Sequence, residues 1–501
     1  MKKQCPTLFV GFILLCMLLN PLTGFTQAIT ENRIEFEQGE DYESYTLTPF
    51  GKYGLLLYAK EEKGNTWKLE RYNTDLKPEQ KQNFEVPRGY YSRARYTSDE
   101  DLSMFYSNKS GKYIFYNFSG EELNLEKHIG QLPKKTIVKS MIAEGNLAYI
   151  ACSNKKGPVL IQLNIKTGKT TLLPINISPY TPKYLSIERV QVLKEDKTVM
   201  VYINAMNKKD HNLYVMQFNE VGKEISKFNL SKSTEKKLSS VSASALGNNE
   251  YIFTGTYSSK NAAYSEGMYM CKTTKADIDF MKFYSFTDFN EFFSYLPERK
   301  QEKIEKKKER YDEKNKELTF NYLIAEHPIK KIGDNYILIG EAYYPTYRQE
   351  ARTTTVNGQT TTSYVSVFDG YQYTHATVAG FDGEGNKLWD HTFELWPSYK
   401  PFFVKRFISS STENDQISLL FASGNNINSL GISPEGEVLK KESHSFIVSS
   451  DDQKVKSSFS NIEFWYDNNF IAFGYQTIKD SKESFGNKKR RVFFINKVTY
   501  Q

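Results

Sequence analysis

One local pattern recurs along most of the 501-residue chain. A strand-like run of aromatic and aliphatic residues enters a polar turn containing Asn, Asp or Gly, and a second strand-like run follows. Alternating side chains around a Gly-containing turn are typical of a β-hairpin. Successive copies lie about 44 to 62 residues apart, with one gap of about 109 residues between the fifth and the sixth. The eight copies span residues 69–75, 114–121, 160–169, 213–223, 268–276, 378–387, 430–437 and 493–497.

This period predicts an all-β fold, a β-propeller of four-stranded antiparallel blades. Four strands every 40 to 50 residues make one blade, whereas a large β-sandwich does not repeat with such a period. Three strand-like segments end the chain at 459–466, 470–477 and 491–498, and a spare alternating segment lies at 32–37. Since a ring must close to remove its open edges, we expect the two ends to share one blade. We therefore predict eight blades, with seven as the alternative.

The aromatic content supports a β-rich, folded chain. The sequence contains 35 Tyr and 34 Phe, which are residues that favour strands and are scarce in disordered chains. Hydrophobic residues make up only 39% of the chain and the mean hydropathy is -0.57. These values exclude a polytopic membrane protein.

The first 28 residues are typical of a secretory signal peptide. Lys2 and Lys3 precede an uncharged apolar run at 8–19, and small and polar residues follow up to Ala28. That run is too short for the roughly 20 apolar residues of a membrane-spanning helix. Leu15 before Cys16 disfavours a lipoprotein. We expect a mature chain, 29–501, that is a single propeller domain without a transmembrane segment, located in the periplasm or outside the cell.

Charge and cysteine usage exclude several classes of partner. The formal charge is +7, and removal of Lys2 and Lys3 with the signal peptide leaves +5, which does not indicate nucleic-acid binding. Cys152 and Cys271 remain, too few and too far apart for a disulfide scaffold or a zinc site. We interpret both as buried free thiols and predict no metal and no cofactor.

Two insertions account for the long gap in the repeat. Residues 289–318 contain a mixed-charge run of good helix formers at 298–310, preceded by a cluster of aromatic residues that would fix a helix to the propeller. Residues 345–372 contain Thr strings around Asn357-Gly358 and predict a protruding β-hairpin. A solvated helix is the simplest interpretation of the charges, with a partner-binding helix as the alternative.

Catalytic motifs are absent from the sequence. We find no phosphate-binding or dinucleotide-binding glycine loop, zinc-binding helix, nucleophile elbow or calcium loop, and the 6 histidines are scattered. Residues 62–67 resemble a degraded sialidase Asp-box, and residues 385–390 resemble the Gly-x-x-x-Trp turn of quinoprotein-dehydrogenase blades. Both are folding elements, and the second resemblance implies that Trp389 packs between adjacent blades.

The stretches 333–345, 368–375 and 381–390 are the most distinctive part of the chain. With the charged insertion before them, they resemble a set of uncharacterised exported β-propeller-like proteins of Gram-negative bacteria, over about residues 289–393. The resemblance implies export and a propeller-like body. It carries no activity over to any residue.

The same region supplies the candidate ligand-binding site. Aromatic rings with a few polar groups suit sugar stacking or peptide capture, and residues flanking the hairpin would converge at one face of the propeller. The alternative is that they are ordinary strand and hairpin packing. The candidates are Tyr343, Tyr344, Tyr347, Arg348, Tyr364, Phe368, Asp369, Tyr371, Tyr373 and His375.

Three functions remain open at this stage. The first is a non-catalytic exported propeller that binds a protein or a glycan of the cell envelope through its insertion-bearing face. The second is a glycan-active enzyme, hydrolase or lyase, which would need two carboxylates roughly 5 to 10 Å apart. Its candidates are Glu341, Asp369 and Asp382. A redox or metal-linked sensor is the third, with little support from the scattered His and Cys.

Overall fold

The fold comes from a computed structural model of the full chain. It describes residues 28–37, 42–62, 64–207, 210–357, 359–413, 415–446, 453–480 and 489–500. The predicted signal peptide lies outside these residues, apart from Ala28 at its end.

The described strands form eight antiparallel sheets. In each of the first four, strands follow one another as a meander, which local turns favour. Blade 1 has β2 (Tyr42–Pro49), β3 (Leu55–Glu61), β4 (Thr66–Tyr72) and β5 (Pro78–Glu85). Blade 2 has β6 (Tyr91–Thr97), β7 (Asp101–Ser107), β8 (Lys112–Ser119) and β9 (Asn124–Gln131). Blade 3 has β10 (Ile137–Glu144), β11 (Leu147–Asn154), β12 (Gly157–Asn164) and β13 (Thr170–Leu173), and blade 4 has β14 (Leu185–Leu193), β15 (Thr198–Met206), β16 (His211–Asn219) and β17 (Glu224–Asn229).

In blades 5 and 6 two short strands share the first position. Blade 5 has β18 (Lys237–Leu238), β19 (Ser242–Gly247), β20 (Glu250–Ser258), β21 (Gly267–Thr274) and β22 (Asp277–Ser285). Blade 6 has β23 (Leu323–Glu326), β24 (Lys330–Ile332), β25 (Asn335–Val356), β26 (Gln359–Phe381) and β27 (Lys387–Glu394). Blade 7 has β28 (Ile408–Ser411), β29 (Ile417–Ser423), β30 (Asn426–Ile432) and β31 (Val438–Ser445). Blade 8 has β32 (Gln453–Tyr466), β33 (Asn469–Asp480), β34 (Lys489–Tyr500) and β1 (Ala28–Glu37).

Both ends of the chain meet in blade 8. The N-terminal β1 pairs with the C-terminal β34, for example Ile34 with Ile495. The Arg33 side chain reinforces this pairing, since it donates hydrogen bonds to Asn496 Oδ1 at 2.9 Å and to Gln476 Oε1 at 2.7 Å. The predicted closure through a shared blade is confirmed, and β34 has no open edge along this pairing.

Eight hydrophobic clusters fill the spaces between the eight sheets. Each cluster combines residues of two consecutive blades, and the cluster of Leu47, Trp465 and Phe493 joins blade 1 to blade 8. A closed series of eight sheets and eight interfaces is an eight-bladed propeller. Eight blades are confirmed and the alternative of seven is wrong. Trp389 packs between blades 6 and 7 as predicted, and its Nε1 donates to the Pro434 carbonyl at 3.1 Å.

Seven of the eight predicted hairpins join the third and fourth strands of a blade. The eighth, at 493–497, is wrong as a hairpin because it lies inside β34. Its residues occupy the third-strand position, and the fourth strand comes from the other end of the chain.

Both insertions of the predicted fold are present. Helix α1 (Glu298–Asp312) has no buried residue, as expected for a solvated, charge-rich helix. The aromatic residues before it fix the segment to the propeller, because Phe286, Phe289 and Phe292 are buried between blades 5 and 6. The hairpin is formed by long extensions of β25 and β26, whose pairing runs from Tyr336–Phe381 to Val356–Gln359.

The two cysteines of the described chain are buried free thiols, as predicted. Burial raises the pKa of Cys152 and of Cys271 to about 12, so both stay protonated at neutral pH. No helix in the described part of the chain is long and apolar enough to cross a membrane.

Candidate functional site

The two insertions lie on the same face of the propeller. In an up-and-down blade, the connections from strand two to strand three and from strand four to the next blade emerge at one end. The hairpin of β25 and β26 is a connection of the first kind, and the segment carrying α1 is one of the second kind. We call this end the insertion face. The opposite face carries mostly short turns, such as residues 145–146, 333–334 and 467–468.

Exposed aromatic side chains are concentrated on the insertion face. Among residues with a described exposure, the large exposed hydrophobics of the outer strands and of the opposite face are aliphatic, such as Leu388 and Val221. Where exposure is described, aromatic rings are exposed only in the loops and strand ends of the insertion face and on the inner strand β32. They are Tyr91, Tyr184, Tyr264, Tyr344, Tyr347, Tyr364, Trp396, Phe402, Phe403 and Phe459.

The outer part of the predicted site is exposed along the hairpin. Tyr344, Tyr347 and Tyr364 are exposed aromatics. The exposed Arg348 forms ion pairs with Glu350 at 2.6 Å and with Asp369 at 3.6 Å. These four side chains are therefore available to a ligand.

A chain of ring contacts continues inward from Tyr347. Its centroid lies 6.0 Å from that of Phe368, which in turn lies 5.0 Å from Tyr371. Tyr371 contacts Tyr343 at 5.2 Å, and Tyr343 stacks on Tyr373 at 5.3 Å. The structure thus brings most of the predicted aromatic residues together in one continuous row.

The inner end of this row is part of the core. Tyr373 is 1% exposed and His375 is fully buried, so the prediction that they face a ligand is wrong for these two. The segment before α1 covers this side of β26, since Tyr295 stacks on His375 at 4.0 Å and Phe292 meets its ring edge-on at 4.8 Å. Burial lowers the pKa of His375 to about 3, so its imidazole is neutral at physiological pH.

The loop between β27 and β28 supplies aromatic residues that the sequence interpretation missed. Trp396, Phe402 and Phe403 are 63%, 68% and 70% exposed, and the Phe402 ring lies 6.0 Å from that of Phe368 in the hairpin. A clue was available, because residues 395–407 place seven apolar or aromatic side chains in a segment without alternation. We call the contacting rings Tyr347, Phe368 and Phe402, together with the neighbouring exposed Phe403, the aromatic surface.

Charged side chains line the central channel below this surface. Innermost strands β14 and β23 carry Glu188, Arg189 and Glu326, and the loop residue Arg406 joins them. The Arg406 Nε donates to the Glu326 carbonyl oxygen at 2.7 Å. An open cavity of about 500 Å³ is lined by Glu188, Arg189, Ser240, Glu326, Lys405 and Arg406.

The two carboxylates of this cavity have raised pKa values. Glu188 and Glu326 keep contact with solvent, but protein surrounds both, and this desolvation raises the pKa of each. Their mutual repulsion also raises the pKa of Glu188, while attraction by Arg189 opposes both shifts. Glu188 accepts a hydrogen bond from Asn204 Nδ2 at 2.8 Å, and Glu326 accepts one from Ser240 Oγ.

A second group of charges lies across the channel. Burial raises the pKa of Glu463 on β32, although the positive charges of Arg95 and Lys405 oppose the shift. The Arg95 guanidinium of β6 donates to the Tyr58 hydroxyl. Lys405 Nζ donates to Asn461 Oδ1 at 2.6 Å. The innermost strands of blades 2, 4, 6 and 8 therefore each carry a cation or a carboxylate.

The carboxylates predicted for an enzyme do not converge. Glu341 pairs with Ala376, whereas Asp369 follows Phe368, which pairs with Tyr347 midway along the hairpin. At about 3.3 Å per residue these two are about 20 Å apart along the strand. Asp382 lies beyond the other end of β26, where it accepts hydrogen bonds from its own turn at Glu384 N and Asn386 N. The three cannot form an acid and base pair, so this prediction is wrong.

Metal ligands are not clustered within the ranges that the structure describes, where no group of three or more His, Cys, Asp or Glu side chains is placed to hold an ion.

No protein-family model and no curated protein matches the chain. Solved structures with a similar course of the chain include the polysaccharide lyase Uly1, at 8% identity and a TM-score of 0.41 over 94% of this chain and 99% of that one. The Dos1 propeller is similar at 9% identity and a TM-score of 0.38, over 82% of this chain and 92% of that one. The Nup133 β-propeller domain of Vanderwaltozyma polyspora is similar at 12% identity and a TM-score of 0.36, over 95% of this chain and 100% of that one. The likeness is distant, and the fold is established by the sheets and their interfaces.

Proposed function

We propose that this chain is an exported, non-catalytic β-propeller that binds a protein or a glycan of the cell envelope on its insertion face. The proposed location is the periplasm or the cell exterior, on the basis of the basic and apolar segment at 1–28. The exported propeller-like proteins that the region 289–393 resembles favour the same location.

The aromatic surface is the observation that carries this proposal. Large exposed rings placed side by side are unfavourable in water and mark interaction sites. Tyr347, Phe402 and Phe403 are each more than 60% exposed. The rings of Tyr347 and Phe402 both contact Phe368, and Phe403 follows Phe402 in the chain. Flat rings of this kind stack on sugar faces and anchor peptide side chains.

The scaffold suits a binding role. Blade packing fixes the base of the hairpin, since the Tyr373 hydroxyl donates to the Lys405 carbonyl at 2.6 Å and accepts from the Lys405 N–H at 3.0 Å. These bonds connect the hairpin to the loop that carries Phe402 and Phe403. A preorganised surface loses little conformational entropy on binding.

A double variant of the aromatic surface tests the proposal. Tyr347→Ser with Phe402→Ser removes two exposed rings and should leave folding unchanged, because neither ring is part of a buried cluster. The matched control is Leu388→Ser with Leu439→Ser, two exposed positions on outer strands. Binding to a glycan array and to envelope proteins is measured for the mature wild type and both variants. Loss of binding in the aromatic variant alone supports the proposal. Equal binding by all three proteins contradicts it.

A glycan-active enzyme is the second candidate function. It is favoured by Glu188 and Glu326, two carboxylates of raised pKa on the wall of one cavity, with Arg189 and Arg406 beside them. A carboxyl group of raised pKa can serve as a general acid, and a neighbouring cation can stabilise developing negative charge. Glu188→Gln and Glu326→Gln should each abolish release of reducing ends or unsaturated products from envelope polysaccharides. If wild type releases neither, this second function is excluded for those substrates.

A further inference from the structure

A second cavity opens on the insertion face between blades 2 and 3, away from the aromatic surface. It has a volume of about 820 Å³. Its walls are the loop between β7 and β8, the loop between β9 and β10, the turn after β11, and Arg93 of β6. All three connections emerge at the insertion face, because they lead from strand two to three or from one blade to the next.

The lining of this cavity is strongly cationic and has no opposing charge. No Asp or Glu contributes to it, and none of its basic side chains takes part in an ion pair within the described chain. In the channel, by contrast, Glu188 and Glu326 lie beside Arg189 and Arg406. Five like charges around one cavity repel one another and attract anions. They are Arg93, Lys109, Lys134, Lys135 and Lys155.

Local hydrogen bonds fix the Arg93 side chain and the turns that carry Lys109 and Lys155. Lys109 and Lys155 each follow an asparagine that folds its own turn: Asn108 Oδ1 accepts from the Ser110 N–H at 3.0 Å, and Asn154 Oδ1 accepts from the Lys156 N–H at 2.8 Å. Such Asx turns fix the backbone. Arg93 Nε donates to Ser107 Oγ at 3.1 Å.

The remaining groups at the cavity favour a charged sugar chain. The Arg93 guanidinium lies 5.3 Å from the centroid of Tyr91, whose ring is half exposed and offers a stacking face. Hydroxyl and amide groups such as Ser110 and Asn154 lie between the cations, as required for sugar hydroxyls. A single-stranded nucleic acid would favour a series of stacking rings, and the residues that line this cavity include no aromatic side chain.

We infer that the cavity between blades 2 and 3 binds an anionic polysaccharide through its carboxylate or sulfate groups. This inference deepens the glycan form of the proposed function and rests on it for the identity of the ligand class, but it uses residues that the aromatic surface does not contain.

The test measures binding of the mature protein to five probes: polygalacturonate, dextran sulfate, neutral dextran, inorganic phosphate and single-stranded DNA. The site variant is Lys134→Glu with Lys135→Glu. The matched control is Lys166→Glu with Lys169→Glu, two exposed lysines in a turn on the opposite face of blade 3. Because four units of charge change in the cavity, we expect the site variant to lose about tenfold or more in affinity, and the control less than about threefold. Added salt should weaken the wild-type binding.

Several results would overturn the inference. Equal loss in the site variant and the control would mean that net charge alone attracts the polymer. Phosphate binding as tight as polymer binding would show a simple anion site, and tighter binding of single-stranded DNA than of dextran sulfate would show a nucleic-acid surface. Failure of both acidic polymers to bind the wild type would exclude the site. Binding of these polymers by the Tyr347→Ser, Phe402→Ser variant separates this site from the aromatic surface, so each proposal can fail alone.

Discussion

Two carboxylates on neighbouring strands of blade 6 have opposite surroundings. Glu341 on β25 pairs with Ala325, and the next residue of β23, Glu326, pairs with Gly340. Glu341 is fully buried and accepts hydrogen bonds from His327 Nε2 at 2.7 Å and from the N–H groups of Phe407 and Ile408 at 2.9 Å. Glu326 keeps contact with the solvent of the channel.

This difference in surroundings distinguishes a carboxylate that holds the fold together, Glu341, from one that a ligand can reach, Glu326. Glu341 satisfies two backbone donors of blade 7 and thereby ties blade 6 to its neighbour, since buried polar groups must be paired. Glu326 accepts one hydroxyl hydrogen bond at each oxygen, from Ser240 and Ser242 of blade 5, and has arginines nearby. A carboxylate that has exhausted its hydrogen bonds holds a fold together, whereas one with free lone pairs in a channel can meet a ligand.

The largest effect on stability should come from replacing the carboxylate of Glu341 by an amide, and the same change at Glu326 is the comparison. Glu341→Gln replaces one of the two acceptor oxygens by an NH₂ group, which faces a buried N–H donor and cannot accept from it, so the free energy of unfolding should fall by about 3 kcal/mol. Glu326→Gln should change it by less than about 1 kcal/mol, because solvent reaches that site. Urea denaturation of both variants measures this. A smaller loss for Glu341→Gln than for Glu326→Gln would reverse our assignment of the two residues.

A second test addresses the neighbouring interior residue His375. Its pKa is lowered to about 3 by burial, against about 6.5 for an unfolded histidine. Between these values the unfolded chain binds a proton that the folded chain does not. Stability should therefore fall as pH drops below about 6.5, by up to about 1.4 kcal/mol per pH unit.

The variant His375→Phe removes this titration and fills similar space, so its melting temperature should depend less on pH between 6.5 and 4. His444→Gln is the control, since His444 is partly exposed on the outer strand β31. If His375→Phe and wild type lose stability in parallel on acidification, other groups dominate acid unfolding.

The channel carboxylates should show the opposite dependence on pH. Desolvation raises the folded-state pKa of Glu188 and of Glu326 above its ordinary value. The folded chain then binds more protons than the unfolded one, and this part of the stability is present at low pH and lost as pH rises through the raised pKa values.

The double variant Glu188→Gln, Glu326→Gln should remove that loss. Solvent in the channel screens the charges, so we expect the two carboxylates to change the free energy of unfolding by less than about 1 kcal/mol between pH 5 and 8. Melting temperatures of wild type and variant across this range measure the effect. A gain in wild-type stability with rising pH that the variant lacks would contradict the proposed sign.

The closed propeller could be predicted from the sequence because the signals for its strands and turns are local. Turns such as Gly222-Lys223 and strands that alternate around them are encoded within about 20 residues, and the spare strand at 32–37 indicated closure. The aromatic hairpin could be found for the same reason. Alternation could not show that the segment before α1 covers His375, because a strand pattern does not say which face an insertion will cover.

The channel could not be predicted in this way. Glu188 and Glu326 are separated by more than a hundred residues, and they meet only because blades 4 and 6 present their first strands to a common axis. Glu341 shows the converse, since a carboxylate in an apolar strand suggested chemistry and proved to be a structural link between blades.

The smallest effect on stability should follow removal of the outer hairpin, which lies beyond both the buried carboxylate and the channel carboxylates. Replacing Thr353–Thr362 by Asn-Gly joins the paired residues Arg352 and Ser363 through a turn suited to a two-residue hairpin. The lost contacts are exposed, such as the Thr355 and Thr360 hydroxyls 3.1 Å apart, so the melting temperature should stay within a few degrees of wild type.

Tyr373→Ala is the control at the buried base of the hairpin. It should lower the melting temperature strongly, because it removes a core ring and two hydrogen bonds. A large drop in the shortened protein would show that the outer hairpin supports the propeller. An unchanged melting temperature with weakened binding to glycan or envelope protein would assign it to the ligand.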